Sequence, residues 1–118
     1  ADGSRATLLP DQLKSDDAMF DAGPESIKFL KEKIKDAKLV VWNGPLGIYE
    51  DGFVEGTEEM AKMLANSSTT TILGGGDTLA AITALNLKDK FTFVSTAGGA
   101  MLQFLVEETL PGIQALEK

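Results

Sequence analysis

Thr69-Thr70-Thr71-Ile72-Leu73-Gly74-Gly75-Gly76-Asp77-Thr78-Leu79-Ala80-Ala81-Ile82-Thr83-Ala84-Leu85 is the stretch that decides the fold class. Thr69 to Leu73 is rich in β-branched residues and reads as a strand. Three glycines stop it, and Asp77 or Thr78 then opens a helix whose Leu79, Ile82 and Leu85 mark a buried side. A strand that runs through glycine straight into a helix is the joint from which parallel sheets are built.

The same joint recurs on both sides. Downstream, Phe91 to Ser95 reads as a strand feeding Thr96-Ala97-Gly98-Gly99, after which Met101, Leu102, Leu105 and Val106 outline a helix. Pro111-Gly112 breaks the chain before a short final turn. Upstream, Ile27, Leu30, Ile34 and Ala37 recur at helical spacing behind Pro24, with lysines on the other face and late in the run, where they complement the helix dipole. Leu39-Val40-Val41-Trp42 is a continuous apolar run of the kind buried on both faces of a sheet, and Asn43-Gly44-Pro45 ends it. Thr57 is a suitable cap for a helix carrying Met60, Met63 and Leu64 and ending near Asn66. Helices and strands therefore alternate. The expected fold is α/β, a three-layer αβα arrangement on a short parallel sheet with right-handed crossovers. Residues 1–20 read as an irregular lead-in and residues 21–118 as the α/β core of a single domain, with Met19 to Asp21 as a candidate short fourth strand.

Composition narrows the chemistry. The 118 residues, 43% hydrophobic and 25% charged, are those of a globular chain. There is no Cys and no His, so Cys-His and Ser-His-Asp catalysis and thiolate metal sites are excluded within this chain. Eleven basic against eighteen acidic residues give a net charge of −7, which argues against nucleic acid or an anionic membrane as partner. No apolar run reaches the length of a membrane span. The Ala1-Asp2-Gly3-Ser4-Arg5 start has neither an apolar signal region nor an initiating Met, so the chain is expected to begin mid-protein, and a cytoplasmic location fits the absence of cysteine.

In a parallel sheet, ligands bind beyond the carboxyl ends of the strands. All three strand-to-helix loops carry glycine: Gly44 and Gly47, Gly74 to Gly76, and Gly98 and Gly99. Glycine allows positive φ and lets bare amides approach a ligand, while the next helix start supplies partial positive charge, so three loops on one edge could form one anion site. Each glycine could equally serve only to turn the chain. Asp77 would repel a bare phosphate, a conflict that resolves if it holds Mg²⁺ bridging to nucleotide phosphates, with Thr78 offering its hydroxyl or amide to a phosphate oxygen. Capping is the simpler reading of Asp77 by residue type. Glu50, at the far end of the loop after the first strand, could accept hydrogen bonds from a ribose, or be merely solvated. The dinucleotide fingerprint lacks its third glycine, where Leu79 stands, and the P-loop pattern lacks its lysine.

These segments resemble the C-terminal part of phosphoglycerate kinase. Val40-Val41-Trp42-Asn43-Gly44-Pro45-Leu46-Gly47, Gly74-Gly75-Gly76-Asp77-Thr78, Ser95-Thr96-Ala97-Gly98-Gly99-Ala100 and Leu110-Pro111-Gly112-Ile113-Gln114-Ala115-Leu116 are similar to that family's motifs, as is Asp21-Ala22-Gly23-Pro24, in order and over nearly the whole chain. The resemblance implies a partial Rossmann-like nucleotide-binding domain of an enzyme moving a phosphoryl group between 1,3-bisphosphoglycerate and ADP, with Mg²⁺. It implies that Asn43 and Pro45 shape the nucleotide pocket, that Glu50 holds the ribose, and that Gly74, Gly75, Gly76 and Thr78 line the phosphates. Asp77 would hold the metal, and Gly98 and Gly99 would open the helix facing the transferring phosphoryl. It also implies a longer parent chain whose missing N-terminal domain binds 3-phosphoglycerate; a piece at −7 with no lysine in these loops is expected to be inactive alone, and an unpaired sheet edge to make it prone to self-association. Ala97 departs from the family glycine and would strain the turn if positive φ were needed there.

Overall fold

The computed structural model describes residues 4–117. Three strands, β1 (Leu39–Asn43), β2 (Thr70–Gly74) and β3 (Phe93–Ser95), form a parallel sheet in the order β1-β2-β3. They alternate with helices α1 (Pro24–Lys35), α2 (Glu55–Ala65), α3 (Gly76–Ala84) and α4 (Gly98–Glu107), and the six-residue α5 (Pro111–Leu116) closes the chain. The α/β alternation thus stands as the sequence implies.

Strand order explains where the core sits. Because both crossovers step the same way across the sheet, crossovers of one hand place α2 and α3 on the same face. Trp42, Leu73 and Val94 share that face by register, and Trp42 and Leu73 pack with Ile34 of α1, Met60, Ala61 and Leu64 of α2, Ile82 of α3 and Phe91. The opposite face carries Leu39, Val41 and Phe93. There α4 reaches β2 at Gly74, where Met101 occupies the space a side chain on that glycine would need. Leu39 remains 53% and Val41 42% exposed, so β1 is buried on one face rather than on both.

Three further boundaries differ from expectation, each for a hydrogen-bonding reason. Met19 to Asp21 is not a strand; in place of a ladder, a single backbone-to-backbone hydrogen bond, the Ile48 N–H donating to the Phe20 carbonyl at 2.9 Å, joins it to the loop after β1. Thr57 does not cap α2. It lies inside the first turn, wholly buried, and its hydroxyl accepts the Leu46 N–H at 2.9 Å. β3 starts at Phe93 rather than Phe91 because the preceding contact with β2 runs through side chains. Thr71 N–H donates to the Thr92 hydroxyl oxygen (3.1 Å) and Thr92 N–H to that of Thr71 (3.0 Å). Among the described residues the lead-in, from Ser4 onward, is irregular apart from a 3₁₀ turn at Pro10–Gln12, but it is anchored: the Arg5 guanidinium lies 4.1 Å above the Phe53 ring.

Candidate functional site

The carboxyl ends of the three strands are Asn43, Gly74 and Ser95, and the loops that leave them meet. A Cβ placed on Gly98 would lie 2.7 Å from Gly75 Cα and 2.8 Å from both Gly75 N and Asn43 Oδ1. One on Gly74 would lie 2.8 Å from the same Oδ1, and one on Gly75 3.4 Å from it and 3.4 Å from Gly44 N. Asn43 therefore sits where all three bends converge, and the convergence exists because three glycines omit a side chain there.

The triple glycine divides its work. Gly74 makes room for Met101 and Asn43. Gly75 has φ +96° and takes the N-cap position of α3, a conformation that L side chains rarely adopt. A Cβ on Gly76 would meet nothing within 4 Å, and the same holds for Gly99 at the start of α4. Neither turn geometry nor packing demands a glycine at these two positions, which leaves a smooth rim open to a ligand. The N–H groups of the first turns of α3 and α4 open there, since Leu79 and Met101 donate the first bonds of those helices, to Gly75 and Ala97.

Gly75 at the N-cap takes capping away from Asp77. That carboxylate is in the first turn of α3, exposed, with no side-chain hydrogen bond or ion pair. Among the described residues no three potential metal ligands cluster. A hard, free carboxylate oxygen nonetheless suits Mg²⁺, which takes one or two carboxylates and completes its octahedron with phosphate oxygens and water. Thr78 is wholly buried, and its hydroxyl accepts the Gly44 N–H at 2.9 Å, so toward a ligand it has its main chain to offer. Ala97 has φ −106°, so the family glycine is not needed for its backbone conformation.

Asn43, the glycines and Thr78 are thus brought together. Pro45 is half-buried in the first loop, beside the Trp42 indole N–H, which donates to the Gly44 carbonyl at 2.7 Å. Glu50 is exposed on a 3₁₀ turn, Tyr49–Asp51, farther along that loop, with no side-chain partner. A cleft of about 650 Å³ lies at the other end of the strands, lined by Lys31, Lys35, Lys62, Glu59 and Thr69. The last turns of α1 and α2 point their negative dipole ends there, which disfavours phosphate. Lys62 is taken up by Glu59 (3.2 Å) and Glu58 (3.4 Å), and its pKa is raised first by the Glu59 bond. No helix among the described residues is long and apolar enough to cross a membrane.

Sequence pattern left Asp21 and Thr57 without their roles, since Asp21 accepts the Gly56 N–H and Thr57 the Leu46 N–H, both distant in the chain. Gly56, just ahead of the expected Thr57 cap, was the available signal of a close backbone approach.

The family model for phosphoglycerate kinase matches residues 2–108. The chain is 40% identical over 118 residues to the phosphoglycerate kinase of Desulfosudis oleivorans, covering 99% of this chain and 30% of that protein. It is 46% identical over 118 residues to that of Clostridium tetani, with 98% and 29% covered. The solved phosphoglycerate kinase of Coxiella burnetii superposes with a TM-score of 0.77 at 42% identity, over 91% of this chain and 28% of that one. That of Pyrococcus horikoshii gives 0.71 at 37%, over 83% and 24%. The chain spans about 30% of the length of the curated relatives it matches.

Proposed function

Because the chain belongs to the phosphoglycerate kinase family, a family of glycolytic phosphotransferases, we propose that it forms the Mg-nucleotide side of phosphoryl transfer between 1,3-bisphosphoglycerate and ADP. The observation that carries this reading is the meeting of three strand-end loops at Asn43 with two helix N-termini opening on the same rim. Free N–H groups of Gly76, Asp77 and Thr78 receive the nucleotide phosphates, and Asp77 holds the magnesium. Bound Mg²⁺ would neutralise charge on the phosphate oxygens. Gly98 and Gly99 present the amides of α4 to the transferring group, where fixed dipoles stabilise charge without reorganising. Asn43 and Pro45 wall the pocket, and Glu50 accepts from the ribose. No lysine falls between Lys62 and Lys88, so the loop after β2 lacks the cation that transfer draws on. The chain alone therefore binds nucleotide without turning it over, and 3-phosphoglycerate is held by residues outside it. A cytoplasmic location follows from this reading.

The test is calorimetric titration with ADP, with and without Mg²⁺, on the chain and on Asp77→Ala. Saturable binding is expected, about tenfold weaker or more in the variant when Mg²⁺ is present, and equal in the two without it. Binding that ignores the substitution in Mg²⁺ sinks the reading.

A second reading, a non-catalytic α/β module that serves in assembly, is favoured by the open apolar face of Leu39, Val41 and Phe93 and by Phe104, Leu105 and Val106 on α4, all exposed. Under that reading ADP does not bind and sedimentation shows self-association with or without nucleotide.

A further inference from the structure

Asp21 stands three residues before α1, yet its carboxylate works on the loop between β1 and α2. Oδ1 accepts the Ala22 N–H at 2.7 Å and Oδ2 accepts the Gly56 N–H at 2.9 Å. Gly56 is the second residue of α2, one of the positions whose N–H has no acceptor inside the helix, and Val54 at the N-cap supplies no side-chain bond. A residue 35 positions earlier thus caps α2, bringing negative charge to the positive end of its dipole.

The loop has been cut to fit this carboxylate. A Cβ on Gly47 would run into the Phe53 carbonyl oxygen and lie 2.7 Å from both Asp21 Cγ and Oδ1, and one on Gly56 would run into Oδ1 and sit 3.0 Å from the Ala22 carbonyl oxygen. Neighbouring contacts hold the same segment. Ile48 N–H donates to the Phe20 carbonyl, and the Phe20 ring stacks on that of Phe53 with centroids 4.8 Å apart. Residues 48, 53 and 56 are therefore fastened to residues 20 and 21, and Gly47 lies close beside Asp21. Between those fastenings lies the 3₁₀ turn with Glu50, whose own side chain has no partner to fix it.

We infer that Asp21 is a positioning residue: by binding the Gly56 end of the Gly47 to Gly56 loop and filling the space beside Gly47, it sets where Glu50 meets the nucleotide ribose. This rests on the nucleotide reading above. Asp21→Asn is the sharp probe because it keeps the shape but turns an NH₂ toward one of the two N–H donors, so one bond is lost and the formal charge with it.

The experiment titrates Mg-ADP and Mg-2′,3′-dideoxy-ADP into the full chain, Asp21→Asn and Glu50→Gln. The unaltered chain is expected to prefer ADP by about tenfold, the worth of hydrogen bonds to a charged group. In both variants the preference should fall to about twofold or less, while the Mg²⁺ dependence contributed by Asp77 persists in Asp21→Asn. A merely structural loss would weaken the two ligands equally and keep the preference. Preference retained in Asp21→Asn overturns the positioning role and leaves the nucleotide reading intact; no preference in the unaltered chain overturns the ribose contact and the inference with it. Should Asp21→Asn fail to fold, amide exchange on the unaltered chain decides. The Gly56 and Ile48 N–H groups are expected to be protected before nucleotide is added, and exchange at the unprotected rate would overturn the inference.

Discussion

The loop after β1 and the loops after β2 and β3 end at the same rim but are held by opposite means. The first is long and fixed by single directional bonds from distant residues: Thr78 to Gly44, Thr57 to Leu46, Asp21 to Gly56. The other two are short and fixed by absent side chains, with Gly74, Gly75 and Gly98 packed against Asn43 and one another. The difference teaches that one rim has two failure modes: removal of an acceptor loosens the long loop, whereas addition of a methyl group forces the short ones apart.

The strongest break of this contrast is Gly98→Ala. Its methyl would meet Gly75 backbone at 2.7–2.8 Å, and backbone cannot rotate away. Urea unfolding should show a loss of about 2–3 kcal/mol, the upper part of the overpacking range, with Mg-ADP binding abolished. Thr78→Val keeps the buried volume and deletes the acceptor of Gly44 N–H, so a loss of about 1–2 kcal/mol is expected in the same assay, with faster amide exchange at Gly44 while Leu46 stays protected by Thr57. Smallest, and of opposite sign, is Gly76→Ala. Open space surrounds that position and its φ is not positive, so unfolding should show a gain of about 0.5 kcal/mol from the stiffer unfolded chain, while Mg-ADP binding weakens because the methyl stands on the rim. Equal losses from Gly98→Ala and Gly76→Ala would remove the distinction between a glycine the fold needs and one the ligand needs.

Much of the fold was legible. Periodicity located α1 and the cores of α2 and α3, and the glycine runs placed the loops, because hydrophobic spacing and positive φ leave local marks. The candidate site was legible as residue types at strand ends. Thr57 was misread because a threonine before an apolar stripe has the local signature of a cap, whereas its hydroxyl serves Leu46 eleven residues away. Asp77 likewise has the signature of a cap, and Gly75 holds that position. The apolar run of β1 implied cover on both faces; in this chain Trp42 is buried and Leu39 is open.

The sequence by itself determined the kind and order of the four main helices and three strands, the exclusion of histidine and cysteine chemistry, and the glycine-bearing character of each strand end, because these follow from local propensity and composition. Tertiary structure alone decided the β1-β2-β3 order, the gathering of core helices on one face, the convergence on Asn43 and the reach of Asp21 to Gly56. Those depend on which distant groups come within hydrogen-bonding or van der Waals range, and that information resides in the packing of the chain rather than in any window along it.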